Sequence, residues 1–124
     1  MSIIHKFTGD PKIFSYQWQG IEPIYFTDPK FEKHVQVGPT DGTQTFVIRY
    51  FQLPKGGASP LHNHSHEHGV IILHGHGQVT INEEVHDLSP YYTIFISEGD
   101  LHQFRNLTDH PLGFFCTIPT YGEY

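Results

Sequence analysis

Short runs rich in Val, Ile, Thr, Phe and Tyr recur along the chain. They predict strands over His34–Val37, Thr45–Leu53, Glu67–His74, Gln78–Ile81, Thr93–Ile96, His102–Asn106 and Gly113–Ile118. Turn chemistry separates the runs: Gly38-Pro39-Thr40-Asp41-Gly42, Pro54-Lys55-Gly56-Gly57, Gly75-His76-Gly77, Asn82-Glu83 and Glu98-Gly99-Asp100. Nine prolines and 12 glycines interrupt the chain too often for long helices. Many short strands with regular turns predict an all-β sandwich or barrel.

Two runs, Phe46 to Phe51 and Gly69 to Leu73, are apolar on both parities, whereas a half-exposed strand alternates. Both are expected to be covered on two sides: by the barrel interior, and by a second sheet, the N-terminal segment or a partner. Residues 1–33 are aromatic but irregular, with Phe14, Tyr16, Trp18, Tyr25, Phe26 and Phe31. They are expected to form an arm that packs across the barrel or onto a second subunit, leaving residues 34–124 as the barrel domain.

Composition narrows the function. The 124 residues suit one domain. Seven Lys+Arg against 13 Asp+Glu give a net charge of −6, a poor match for nucleic acid or an anionic membrane surface. The longest unbroken apolar run is Val70 to Leu73, far short of the roughly 20 residues of a membrane helix. No apolar stretch follows Met1, and the single Cys116 cannot form an internal disulfide. A cytoplasmic location is therefore expected.

The chain holds 11 histidines, six of them between positions 62 and 76. His62 and His64 stand two apart, so on a strand both rings point to one face, with Cα atoms about 6–7 Å apart. Two imidazoles so placed can meet one ion at about 2.0–2.1 Å. His66 and His68 share that parity, but an extended chain from 62 to 68 covers about 20 Å. The chain must bend, and Ser65-His66-Glu67 is the polar place for it. His68 then becomes the third ligand from a second strand, and His66 stays outside the coordination shell. The plainer alternative is a His-rich polar loop or an exposed metal scavenger. Against it, the cluster follows a Pro-Lys-Gly-Gly turn and runs directly into the apolar strand Val70–Leu73. A second element, Glu98 to Asn106, carries His102, which alone reads as an ordinary strand histidine.

These residues resemble a known family. Gly56, five residues, His62, one residue, His64, three residues, His68, six residues and Gly75 match the first cupin motif, with His68 in place of the usual glutamate. Ser97, one residue, Gly99, two residues, His102, three residues and Asn106 match the second, with Ser97 where proline is usual and Tyr91 at its customary leading glycine. The resemblance runs from about Gln44 to Glu123. It is similar to the small mono-cupins with a four-histidine site, some of which bind manganese, and shares their Phe-x-Cys-x-Ile-Pro segment at Phe114 to Pro119. The resemblance implies an antiparallel jelly-roll β-barrel, commonly dimeric. It also implies a metal inside the wider end on His62, His64, His68 and His102. Glu67 sits one residue early, points to the opposite face and is not counted as a ligand. No role is assigned to His74 or His76.

Four neutral imidazoles leave a divalent ion its full charge. Mn, Fe, Co or Ni would keep two open positions, and Zn would be satisfied by four ligands. One divalent first-row metal per chain is expected, Mn or Fe first, with Ni, Co, Cu and Zn as further candidates. If His102 points inward, Phe104 and Asn106 do too and Arg105 points out. Phe114, Cys116 and Ile118 share the face that the resemblance makes interior, and Val70 and Ile72 follow His68. The pocket candidates are then Arg49, Ile72, Phe104, Phe114, Cys116 and Ile118. Plain core packing is the alternative for Phe104 and Phe114, and a small buried hydrophobe for Cys116. Arg49 is either a substrate anchor or an interface residue. The expected function is a metal-dependent small-molecule oxygenase or oxidoreductase. The alternatives are a redox-neutral isomerase or lyase on a carbonyl or sugar-acid substrate, and a non-catalytic binding module. The scarcity of cations argues against a polyanionic sugar.

Overall fold

The computed structural model describes residues 1–123. Nine strands follow in order: β1 (Ile24–Thr27), β2 (Lys30–Val37), β3 (Phe46–Leu53), β4 (His68–His74), β5 (Gly77–Ile81), β6 (Glu84–Leu88), β7 (Thr93–Ile96), β8 (His102–Arg105) and β9 (Leu112–Pro119). They form a six-stranded sheet in the order β1-β2-β3-β9-β4-β7 and a three-stranded sheet in the order β6-β5-β8. Every strand pair is antiparallel. This is the all-β architecture that the turn spacing predicts and the antiparallel jelly roll that the cupin resemblance implies.

The seven expected strands are present, with ends shifted by a few residues. β1 and β6 were not expected. All four β1 residues are exposed, as are four of five in β6, so neither shows the apolar alternation that marks a strand in sequence. β2 starts at Lys30 rather than His34, because Asp28-Pro29 is the turn of a β1–β2 hairpin, with Phe26 opposite Phe31.

Inside the barrel, Val47, Leu53, Ile72, Phe114 and Leu112 are wholly or almost wholly buried. The outer face of β3 is closed by the chain's own N-terminal segment. Tyr16 stacks on His74 with centroids 3.9 Å apart, and Trp18 meets Tyr50 at 5.1 Å and Phe115 at 6.1 Å. His5 ties the segment down through hydrogen bonds to the Gln19 carbonyl and to Asp41. The Gly69–Leu73 run is different. Val70 and Ile72 are buried while Gly69 and Ile71 are exposed, so among the described residues the expected second cover is missing there.

Candidate metal centre

Two backbone contacts hold the two histidine segments together. His62 N–H donates to the His102 carbonyl at 3.1 Å, and His102 N–H donates to the His62 carbonyl at 2.8 Å. One turn away, Gly99 N–H donates to the His64 carbonyl at 2.7 Å. Gly99 has φ +85°, a left-handed turn that suits glycine and brings its amide under His64. The chain bends at Ser65–His66, as the distance argument requires, and His68 opens β4.

The bend gathers His64, His68 and His102, whose candidate ligand nitrogens all lie within 4.8 Å of one another. A shared ion about 2.1 Å from each nitrogen spaces its ligands by at most about 4.2 Å, so small ring rotations close the set. The local chemistry fits a cation. His102 Nδ1 lies 3.0 Å from the Asp100 carbonyl, which can only accept, so Nδ1 carries the proton and Nε2 is left bare. His68 Nε2 is buried and has no hydrogen-bond partner, an orphaned lone pair that a metal would satisfy.

Burial, reinforced by the neighbouring histidines and Arg49, pushes His64 down to about 4 and His68 down to about 3. Burial also lowers His102, against the opposing pull of the Asp100 carbonyl. All three rings are neutral at pH 7, the form that binds metal.

His62 is exposed and stands outside this set of three, with its ring 5.0 Å from that of His64. His66 is also outside it but is buried rather than exposed at a turn. It stacks on His64 at 4.8 Å and is capped by Gly122, where a Cβ would come within 2.6 Å of His66 Nε2. Glu67 is exposed.

The three rings line a cavity of about 280 Å³, together with His62. Of the six wall candidates, Arg49, Phe104, Phe114 and Cys116 line it. Ile72 and Ile118 pack in the core cluster instead and are not among its lining residues, because parity chooses a face without setting depth. Arg49 faces the cavity. Its guanidinium lies 4.9 Å over the Phe51 ring, and Nη2 donates to Cys116 Sγ at 3.2 Å. Asn106 points inward as expected but is structural. Its amide donates to the Leu53 and His110 carbonyls, and its oxygen accepts from Thr108.

Sequence reasoning missed Lys33, along with Phe26 and Phe31, all of which line the cavity. Lys33 pairs with Phe51 across β2–β3, and Val35 pairs with Arg49, so Lys33 and Arg49 are diagonal neighbours on the inward face. The parity of Phe31, Lys33 and Val35 was the available signal, hidden by reading the strand from His34 onward.

An antiparallel jelly roll with a cavity-lining histidine cluster that could hold a metal ion defines a class of small β-barrels. Residues 49–118 match the family described as Cupin_2, a cupin domain, and the chain belongs to it. The chain is 34% identical over 107 residues to 1-methylthio-D-xylulose 5-phosphate methylsulfurylase of Rhodospirillum rubrum, covering 83% of this chain and 69% of that protein. A cupin-2 domain structure from the same organism superposes with a TM-score of 0.78 at 32% identity, covering 85% of this chain and 73% of that one. A cupin 2 conserved barrel protein from Rhodopseudomonas palustris gives a TM-score of 0.79 at 29% identity, covering 94% and 80%.

Proposed function

We propose that this chain is a metal-dependent enzyme acting without net oxidation on a small, anionic, carbonyl-bearing substrate. One observation carries this reading: Lys33 and Arg49 share the histidine-lined cavity, two of only seven Lys+Arg in the chain. Overall scarcity of cations had argued against a polyanionic sugar. Their concentration at this one cavity reverses that argument. The relative named for 1-methylthio-D-xylulose 5-phosphate, a ketose phosphate, supports the same substrate class.

His64, His68 and His102 would hold one divalent ion, with Mn or Fe the first candidates and His62 a fourth ligand. His62 is supported by its ring lying 5.0 Å from that of His64 and by its backbone pairing with His102. A divalent ion there supplies a Lewis acid for a substrate carbonyl. Arg49 and Lys33 bind and orient the substrate's anionic group. Phe104 and Phe114, stacked at 4.3 Å, keep water from the far wall. The segment before β1 serves as an arm on the chain's own barrel, while residues 24–33 join the sheet as β1 and the start of β2, and a homodimer forms on the sheet face left open. No helix among the described residues is long and apolar enough to cross a membrane.

The test is turnover by Mn(II)-loaded protein of ketose phosphates, sugar acids and their uncharged counterparts, with dissolved oxygen followed in parallel. Anaerobic conversion that favours the anionic compounds supports this reading. Oxygen consumption matching product formation would replace it with the oxygenase reading.

A further inference from the structure

The middle strand of the cavity wall carries Cys116, which stands between Arg49 and His68, the proposed substrate anchor and a proposed metal ligand. In the six-stranded sheet β9 lies between β3 and β4. Across β3–β9, Arg49 stands directly opposite Cys116. Across β9–β4, Cys116 pairs with Val70, which makes His68, two residues back, its diagonal neighbour on the same face. The contacts follow this register. Arg49 Nη2 reaches Cys116 Sγ at 3.2 Å, and His68 Nδ1 reaches the same sulfur at 3.3 Å. Cys116 and His68 are 3% and 5% exposed, so water does not compete for either contact.

We infer that Cys116 is a positioning residue for the metal centre: its sulfur accepts the Nδ1–H of His68 and turns Nε2 of that ring into the cavity. This rests on the metal reading above and deepens it. Two tautomers of a neutral His68 are available. With the proton on Nε2, a buried N–H would face the cavity with no acceptor, because that atom has no partner in the structure. With the proton on Nδ1, the sulfur accepts it and the Nε2 lone pair is bare. Only the second tautomer both satisfies the donor and leaves a ligand atom.

A ligating histidine usually gives its other N–H to a carbonyl or carboxylate, as His102 does with the Asp100 carbonyl. At His68 a thiol takes that place. The Arg49 N–H on the same sulfur holds the acceptor still. The residue that faces a substrate anion is thereby joined to a metal ligand through one atom.

The experiment compares wild type with Cys116→Ser, Cys116→Ala and Cys116→Val. Long-range ¹⁵N NMR of the metal-free proteins reads the His68 tautomer, and Co(II) titration followed by its visible absorption reads affinity. Ser keeps an acceptor, and Val fills the space without one. Wild type and Cys116→Ser are expected to show the Nδ1–H tautomer and affinities within about threefold. Cys116→Ala and Cys116→Val should lose the single tautomer and weaken Co(II) binding by about 10–100-fold, the usual cost of losing such a partner. A Cys116→Val protein with the wild-type tautomer and affinity overturns the inference and leaves the metal reading standing. A wild type that takes up no Co(II) overturns both.

Discussion

His62 and His102 are 40 residues apart in sequence and paired in space, each amide donating to the other's carbonyl at 3.1 and 2.8 Å. That pair lays the first histidine segment antiparallel alongside β8, so the candidate metal cluster sits where the two segments meet. Removing a side chain at this seam therefore changes ligation and leaves the seam's main-chain hydrogen bonds available.

Metal affinity should respond to acid later than ordinary imidazoles would allow. An unperturbed histidine titrates near 6.5. Burial holds His64 down at about 4 and His68 at about 3, and it lowers His102. Protons compete with a metal at these rings only as pH approaches those lowered values. Their contribution to Mn(II) affinity should be flat from about pH 8 to 6 and collapse below about pH 5. The stability of the metal-free protein should fall in the same direction, but from a higher pH. Its unfolded chain takes up protons from about pH 6.5 downward while the folded rings do not, so its stability should fall progressively below that pH. Titration calorimetry and urea melts across the range check both signs.

Arg49→Gln and Lys33→Gln should each weaken binding of an anionic substrate by about 10–100-fold, the weight of a charge-assisted hydrogen bond. Binding of an uncharged analogue should change little. Equal losses for charged and uncharged ligands would mean that the two side chains shape the cavity rather than select charge.

Part of this histidine cluster is legible in the sequence alone. Spacing and chain length leave one bend to choose, and the bend at Ser65–His66 brings His64 and His68 together, while His62, read with them as a ligand, stands outside the set of three. The inward parity of His102, Phe104 and Asn106 also holds, as does exposure of Arg105. Lys33 was hidden because the strand was read from His34 onward, so the shared parity of Phe31, Lys33 and Val35 was not followed back to the β1–β2 hairpin. Ile72 and Ile118 were placed at the wall because parity gives a direction and says nothing of what lies in front. His74 had no assignment, since its stacking on Tyr16 and its bond with the Tyr50 hydroxyl at 2.7 Å join segments distant in sequence.

The aromatic arm should be a large stabilising element. Trp18 contacts Phe7, His34, Tyr50 and Phe115, bridging the N-terminal segment to the sheet. Trp18→Ala should cost about 2–3 kcal/mol, below the full value for a core aromatic because the residue is half-buried. Denaturant unfolding measures this, and a change under about 0.5 kcal/mol would show that the arm is a surface ornament.

The open sheet face should pair with a second copy. Ile71 and Phe95 are 43% and 63% exposed on neighbouring strands, and β7 is a sheet edge. Sedimentation should show a dimer at micromolar concentration, and Phe95→Glu should make it monomeric. A wild-type monomer at that concentration would contradict this.

The most direct test of the central claim is a Mn(II) titration of metal-free protein, comparing wild type with His64→Ala, His68→Ala, His102→Ala and, as control, His66→Ala. One ion per chain should bind the wild type. Each of the first three substitutions should weaken binding at least about tenfold, and His66→Ala should leave the stoichiometry at one. Binding by the His64, His68 and His102 variants as tight as wild type would contradict a metal centre at this cluster.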